Sequence, residues 1–109
     1  HDAIIAYTSN LPHIMAVALV NSDSMQVNTK YFIAGSFRDA TRVADINAEL
    51  WKDLFLFNKD NVRTEIAKLQ VQLNKWEKAL AEDDAETMVA MMKEAKSKRE
   101  DLFNAKNFR

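Results

Sequence analysis

The apolar positions of this chain follow helical periods from end to end. The cleanest pattern lies in residues 61–81, where Val62, Ile66, Leu69, Leu73, Trp76 and Leu80 are spaced 4, 3, 4, 3, 4. That is a heptad seam, and it predicts a long helix with one apolar edge. Glu82-Asp83-Asp84 closes it, and Asp83 with Glu86 reads as a capping box for a last helix. This helix carries Met88, Met91, Met92, Ala95, Leu102 and Phe103, with Lys93, Lys96, Lys98 and Arg99 toward its C-terminal half, where cations suit the macrodipole. The methionines read as core gap-fillers. The two helices together predict a long antiparallel hairpin.

The first part of the chain is patterned differently. Residues 2–22 form one apolar helix with Ile4, Ile5, Leu11, Ile14, Met15, Val17, Ala18 and Leu19 on nearly every side, as expected of a helix buried all round or held in a subunit interface. Pro12 falls in its middle and predicts a kink near Thr8–Pro12. Such a kink is either a plain packing bend or a device that exposes backbone for a purpose. Residues 22–35 read as a turn and a short helix, with Gly35 expected at positive φ. Ser36 then N-caps a helix from Phe37 to Ala44, and Asn47 caps the next, through Trp51 and Leu54 to Phe57. Asn58–Asp60 is the break before the seam, with Asn58 or Asp60 as cap. Every element is a helix, so the fold class is all-α, a multi-helix domain.

Composition narrows the chemistry. In 109 residues there are one Gly, one Pro and no Cys. One Gly cannot build a glycine-rich dinucleotide or phosphate cradle, and no Cys means no disulfide, thiolate metal site or Cys nucleophile. The length is one domain's worth. The net charge is −1, with 15 basic and 16 acidic side chains, so no bulk field draws nucleic acid or an anionic membrane. Residues 1–57 hold 4 Lys/Arg and 6 Asp/Glu, against 11 and 10 in residues 58–109, so the first half is the charge-poor one. The longest uninterrupted apolar run, Ile14–Val20, falls short of the roughly 20 residues of a membrane span, so no membrane partner is expected. No signal peptide is apparent, and the expected location is cytoplasmic. The chain opens on His1 rather than Met and is expected to be a piece of a longer protein.

Few side chains offer reactivity. His1 and His13 are the histidines. His13, following Pro12, reads either as a satisfied packing residue or as a site residue. No metal-ligand spacing occurs, and Ser9 and Ser36 lack a nucleophile-elbow setting. Asp39 and Arg42 are i,i+3 neighbours in the charge-poor half. A buried Arg there needs a carboxylate partner. The pair is thus either a structural ion pair or an Arg, held by Asp39, whose open fork captures a substrate carboxylate.

Taken in order, His1-Asp2, Ser9-Asn10-Leu11-Pro12-His13, Gly35-Ser36-Phe37-Arg38-Asp39-Ala40-Thr41-Arg42, Leu50-Trp51 and Asn58-Lys59-Asp60-Asn61 resemble the C-terminal helical domain of the prephenate dehydrogenase family, including its arogenate-using relatives. The resemblance covers residues 1–109 as one substrate-binding and dimerisation domain. It implies an enzyme of tyrosine biosynthesis that oxidatively decarboxylates prephenate to 4-hydroxyphenylpyruvate. It also implies an all-helical fold like the C-terminal domain of 6-phosphogluconate dehydrogenase, and an intertwined homodimer. NAD or NADP would be bound by an N-terminal Rossmann domain absent from this chain, so no cofactor and no principal catalytic residue are expected here, and the chain alone is expected to be inactive. Substrate-side roles are implied for seven residues. Arg42 would bind a carboxylate and Asp39 would orient it. His13 would line the pocket, and Trp51 would reach into the partner's site. Gly35 and Ser36 would shape the wall where prephenate, arogenate or inhibitory tyrosine is sensed, and His1 follows from the His-Asp motif. Asn10 and Ala34 depart from the common family pattern of Gln and Gly, which bears on pocket shape. The competing readings are a non-catalytic helical dimerisation or adaptor module, and the helical domain of another β-hydroxyacid-type dehydrogenase.

Overall fold

The structure is a computed structural model that describes residues 1–104, apart from the side chains of Gln26 and Val27. Among the described residues there are only helices and connections, with no strand, which is the all-α class expected. The chain divides into two compact units, His1–Lys68 and the part from Leu69 onward.

The first unit begins with a helix in three pieces: α1 (Asp2–Ile5), a π turn (Ala6–Asn10) and α2 (Leu11–Asn21). Its backbone stays helical through the joins, and Leu11 donates its N–H to the Ala6 carbonyl five residues back. Pro12 lies in the first turn of α2. Proline lacks the N–H that a regular helix would use there, and one wide turn before it lets the helix continue. The expected disturbance at Thr8–Pro12 is therefore a π turn. Asp2–Asn21 also has 20 residues at a mean hydropathy of 1.5, enough by length and composition to cross a membrane. Counting uninterrupted apolar residues understated this, because Thr8, Ser9, Asn10 and His13 break the run without adding a carboxylate or a fixed cation. Its Ala6, Leu11 and Ala16 are nevertheless buried inside the unit, with the polar Asn10.

After α2, the Asp23 carboxylate accepts from the Met25 N–H at 2.9 Å and the Thr29 hydroxyl at 2.7 Å, holding a turn into a 3-10 segment, Gln26–Tyr31. Helix α3 (Gly35–Thr41) and a 3-10 turn (Arg42–Ala44) follow, and both pack against α2. Two local expectations fail at this point. Gly35 does not adopt positive φ; it opens α3, because Ala34 before it is extended at φ −84 and ψ 159 and makes the turn. Ser36 is accordingly inside the helix and caps nothing. Helix α4 (Ala48–Phe57) starts as expected, with the Asn47 side chain accepting from the Leu50 N–H at 3.1 Å. Asn58 ends α4, and its carbonyl takes the Val62 N–H at 3.0 Å to start α5 (Lys59–Ala81). Near the start of α5, Val62 is buried, as is most of Glu65, whose carboxylate meets Lys68 at 3.2 Å.

In the second unit the rest of α5 leads through three residues into α6 (Ala85–Phe103), a connection of helix-hairpin length. Helix α5 closes with the Asp84 N–H on the Ala79 carbonyl at 2.8 Å and the Asp83 N–H on Leu80 at 3.2 Å. This is a Schellman closure with Asp83 left-handed at φ 53, where Gly is the usual residue. The cap of α6 is consequently Asp84, one residue later than expected. Its carboxylate accepts from the Thr87 N–H at 3.0 Å and the Thr87 hydroxyl at 2.6 Å.

Those two bonds, the hydroxyl's first, hold the Asp84 carboxyl below its ordinary 3.8. A depressed folded value adds stability that is present above 3.8 and is lost as the pH falls through the lower folded value. Asp84→Ala is therefore expected to lower the thermal midpoint at neutral pH, with the gap to wild type closing on acidification. Asp83→Gly should do the opposite, stabilising by about 1 kcal/mol through relief of the left-handed strain. Calorimetry of both variants across pH checks the assignment, and a stabilising Asp84→Ala would refute it.

Candidate functional site

The site is built on the far side of the π turn. His13 follows Pro12 on α2, and its Nδ1 lies 2.8 Å from the Ser9 carbonyl. A carbonyl only accepts, so Nδ1 carries the proton and, in the neutral ring, Nε2 is left as the acceptor. Pro12 withdraws a backbone donor from this turn, and the imidazole supplies one. The ring is half-buried because Trp51 stacks on it, with centroids 4.0 Å apart and planes 24° from parallel. Trp51 is placed in turn by the start of α4, where its N–H meets the Asn47 carbonyl at 3.0 Å, and by Phe55 one turn on at 5.6 Å. The Asn47 cap thus fixes the register of the side chain that covers His13. Trp51, expected to reach into a partner's site, is engaged on a ring of its own chain.

Arg42 lies on the 3-10 turn packed against α2, and Asp39 in the last turn of α3. Both are exposed, and the expected Asp39–Arg42 ion pair is not among the ion pairs of the described residues. The reasoning for that pair assumed burial in the charge-poor half. With water at hand, the guanidinium has no need of a partner, and an exposed pair contributes little. The Arg42 fork is left open in full. Gly35 and Ser36 are exposed at the start of α3, and a Cβ on Gly35 would meet nothing within 4 Å. His1 is exposed ahead of α1, its carbonyl accepting from the Ile5 N–H at 3.0 Å. A cavity of about 280 Å³ lies where α2 ends and α3 begins, lined by Leu19, Asp23, Met25, Phe32 and Phe37 among others. None of the seven expected site residues lines it. No group of three or more potential metal ligands occurs among the described residues.

The sequence pattern passed over an asparagine network. Asn58 donates from Nδ2 to the Asp2 carbonyl at 2.9 Å and to Oδ1 of Asn10 at 3.2 Å, and accepts from Asn61 at 2.9 Å. Asn10 is 4% exposed, so this part-buried contact reaches a buried polar residue across 48 residues of sequence.

The family model described as "Prephenate dehydrogenase, dimerization domain" matches residues 1–94. The chain belongs to this family. It is 33% identical over 106 residues to the prephenate dehydrogenase of Bacillus subtilis (strain 168), covering 94% of this chain and 29% of that protein. It is 34% identical over 104 residues to the cyclohexadienyl dehydrogenase of Zymomonas mobilis, covering 91% of this chain and 36% of that protein. A solved prephenate dehydrogenase from A. aeolicus, in complex with hydroxyphenyl propionate and NAD+, superposes at a TM-score of 0.81 with 33% identity, covering 94% of this chain and 37% of that one. The chain therefore spans about a third of the length of these family members. The family match takes in both the motif-bearing first unit and most of the second.

The His13–Trp51 stack is expected to be energetically coupled. A double-mutant cycle of His13→Ala and Trp51→Ala in urea unfolding should return a coupling of about 0.5–1.5 kcal/mol. Strict additivity would mean that the rings do not hold each other.

Proposed function

We propose that this chain is the substrate-side, dimer-forming part of an NAD(P)-dependent prephenate dehydrogenase, converting prephenate to 4-hydroxyphenylpyruvate in cytoplasmic tyrosine biosynthesis. Family membership supports the class. The observation that supports it in the fold is that α2, which carries His13, packs against the turn that carries an unpaired Arg42. Prephenate is a dianion, and an open guanidinium fork suits bidentate capture of a carboxylate. His13, held by Ser9 and backed by Trp51, supplies a directed acceptor on the helix that packs against this turn. In this reading Gly35, Ser36 and His1 are assigned to the substrate wall on the family resemblance alone, where arogenate or inhibitory tyrosine would also be sensed. Asp39 has no orienting role in this reading, since it makes no pair with Arg42.

In this reading the dinucleotide is held by another part of the enzyme. Among the described residues there is no strand–turn–helix unit, and the lone Gly35 is a helical residue. A nicotinamide cofactor supplies hydride acceptance in this reaction class, and this chain's residues bind and orient the substrate.

Homodimerisation follows from what the chain leaves open. Phe32 is 83% exposed, Phe57 88%, Leu80 60% and Phe103 70%, and among the described residues no large side chain is fully buried. Each unit thus leaves large apolar side chains open to a partner. At micromolar concentration, light scattering should give the mass of a dimer; a monomer would count against this part of the proposal.

In the intact enzyme, Arg42→Ala is expected to raise KM for prephenate by about 100-fold, as loss of a charge-assisted pair worth roughly 3 kcal/mol, with a much smaller change in kcat. An unchanged KM would remove Arg42 from the site.

A further inference from the structure

We propose that Asn58 is a positioning residue for His13: from the junction of α4 and α5 it clamps the π turn whose register decides where the imidazole emerges. This rests on the reading of His13 as a substrate contact. The amide of Asn58 is fully used. Its two N–H groups go to the Asp2 carbonyl and to Oδ1 of Asn10, and its own oxygen takes a bond from Asn61. Because the Asp2 carbonyl only accepts, the orientation of the Asn58 amide is fixed, and Asn10 must present its oxygen.

The two anchors bracket the irregular turn. Asp2 lies before it in α1, and Asn10 is its last residue. A π turn inserts one residue, which rotates everything downstream by about 100° relative to a regular helix. Were the turn to relax to α geometry, His13 would leave by a different face from the one that meets Trp51. Pro12 does not settle the choice, since a proline also permits a simple kink. A clamp bonded on both sides of the insertion does. Losing it would leave the Asn10 oxygen, in a residue 4% exposed, without this partner, at the cost of an unmade buried bond.

The test uses the intact enzyme with prephenate. Asn58→Ala removes the amide, and Asn58→Asp keeps its shape while setting carboxylate oxygens against the Asp2 carbonyl. Both variants, if they fold by circular dichroism, are expected to raise KM about 10-fold with kcat within about 2-fold, and to add nothing when His13 is already Ala. A second readout is independent of activity. Nitrogen NMR of the His13 ring, assigned by its loss in His13→Ala, should show the Nδ1-protonated tautomer in wild type and a mixture in the Asn58 variants. If both Asn58 variants keep the wild-type tautomer, or if their KM effects are additive with His13→Ala, the clamp is overturned. If only Asn58→Asp folds, the same criteria apply to it alone. A tautomer lost in the Asn58 variants while His13→Ala leaves KM unchanged would establish the clamp and refute the substrate role of His13.

Discussion

A proline inside a helix too apolar to be broken open is the constraint on which the first unit depends. Ending the helix at Pro12 would expose backbone polar groups among side chains that avoid water, so the chain keeps its helical course and absorbs the missing N–H in one wide turn. Three consequences follow. The register of α2 is rotated, the Ser9 carbonyl becomes a partner for an imidazole, and the turn needs external support. His13 uses the second consequence and Asn58 supplies the third. The same local irregularity therefore creates the site residue's environment and ties α1 to the start of α5 inside the unit.

A second constraint is the imbalance between apolar surface and core. Among the described residues, the buried apolar positions are Ala6, Leu11, Ala16, Val62 and Ala79, mostly small. Small residues let backbones approach closely, but each removes little area from water. The large side chains that would normally supply the hydrophobic free energy of folding, such as Phe32, Leu73 and Leu80, remain exposed. In a dimerization domain, area buried against a second copy would add to this small core, making assembly and folding parts of one equilibrium. For the family of dimerization domains to which the chain belongs, this is the expected economy of area.

Legibility in the sequence tracked the range of the interaction. The Asn47 cap could be read because cap and apolar run are adjacent, and the cap holds Trp51 in place. The α5–α6 junction was read one residue early. The chain splits two jobs between neighbouring aspartates, Asp83 taking the left-handed position that Gly signals elsewhere and Asp84 the cap. Gly35 misled in the other direction, since a glycine can as easily open a helix after an extended residue as turn the chain itself. The Asp39–Arg42 pair was expected from the scarcity of charge around it, yet scarcity of charge along the chain does not imply burial in space. The Asn58 network was out of reach, because its partners lie 48 and 56 residues away and asparagine has no periodic signature.

These outcomes bear on how the site is read. The fold joins His13 to Ser9 and Trp51, and packs α2 against the turn of Arg42. The Arg is more useful unpaired than paired, since a guanidinium already neutralised by Asp39 would offer a dianion less charge and fewer donors. An exposed Arg is also cheap to keep charged, and the same charge counts for more wherever water is excluded and the dielectric falls. The apolar side chains left exposed and the open Arg42 guanidinium are the features whose energetics a second protein surface would change most.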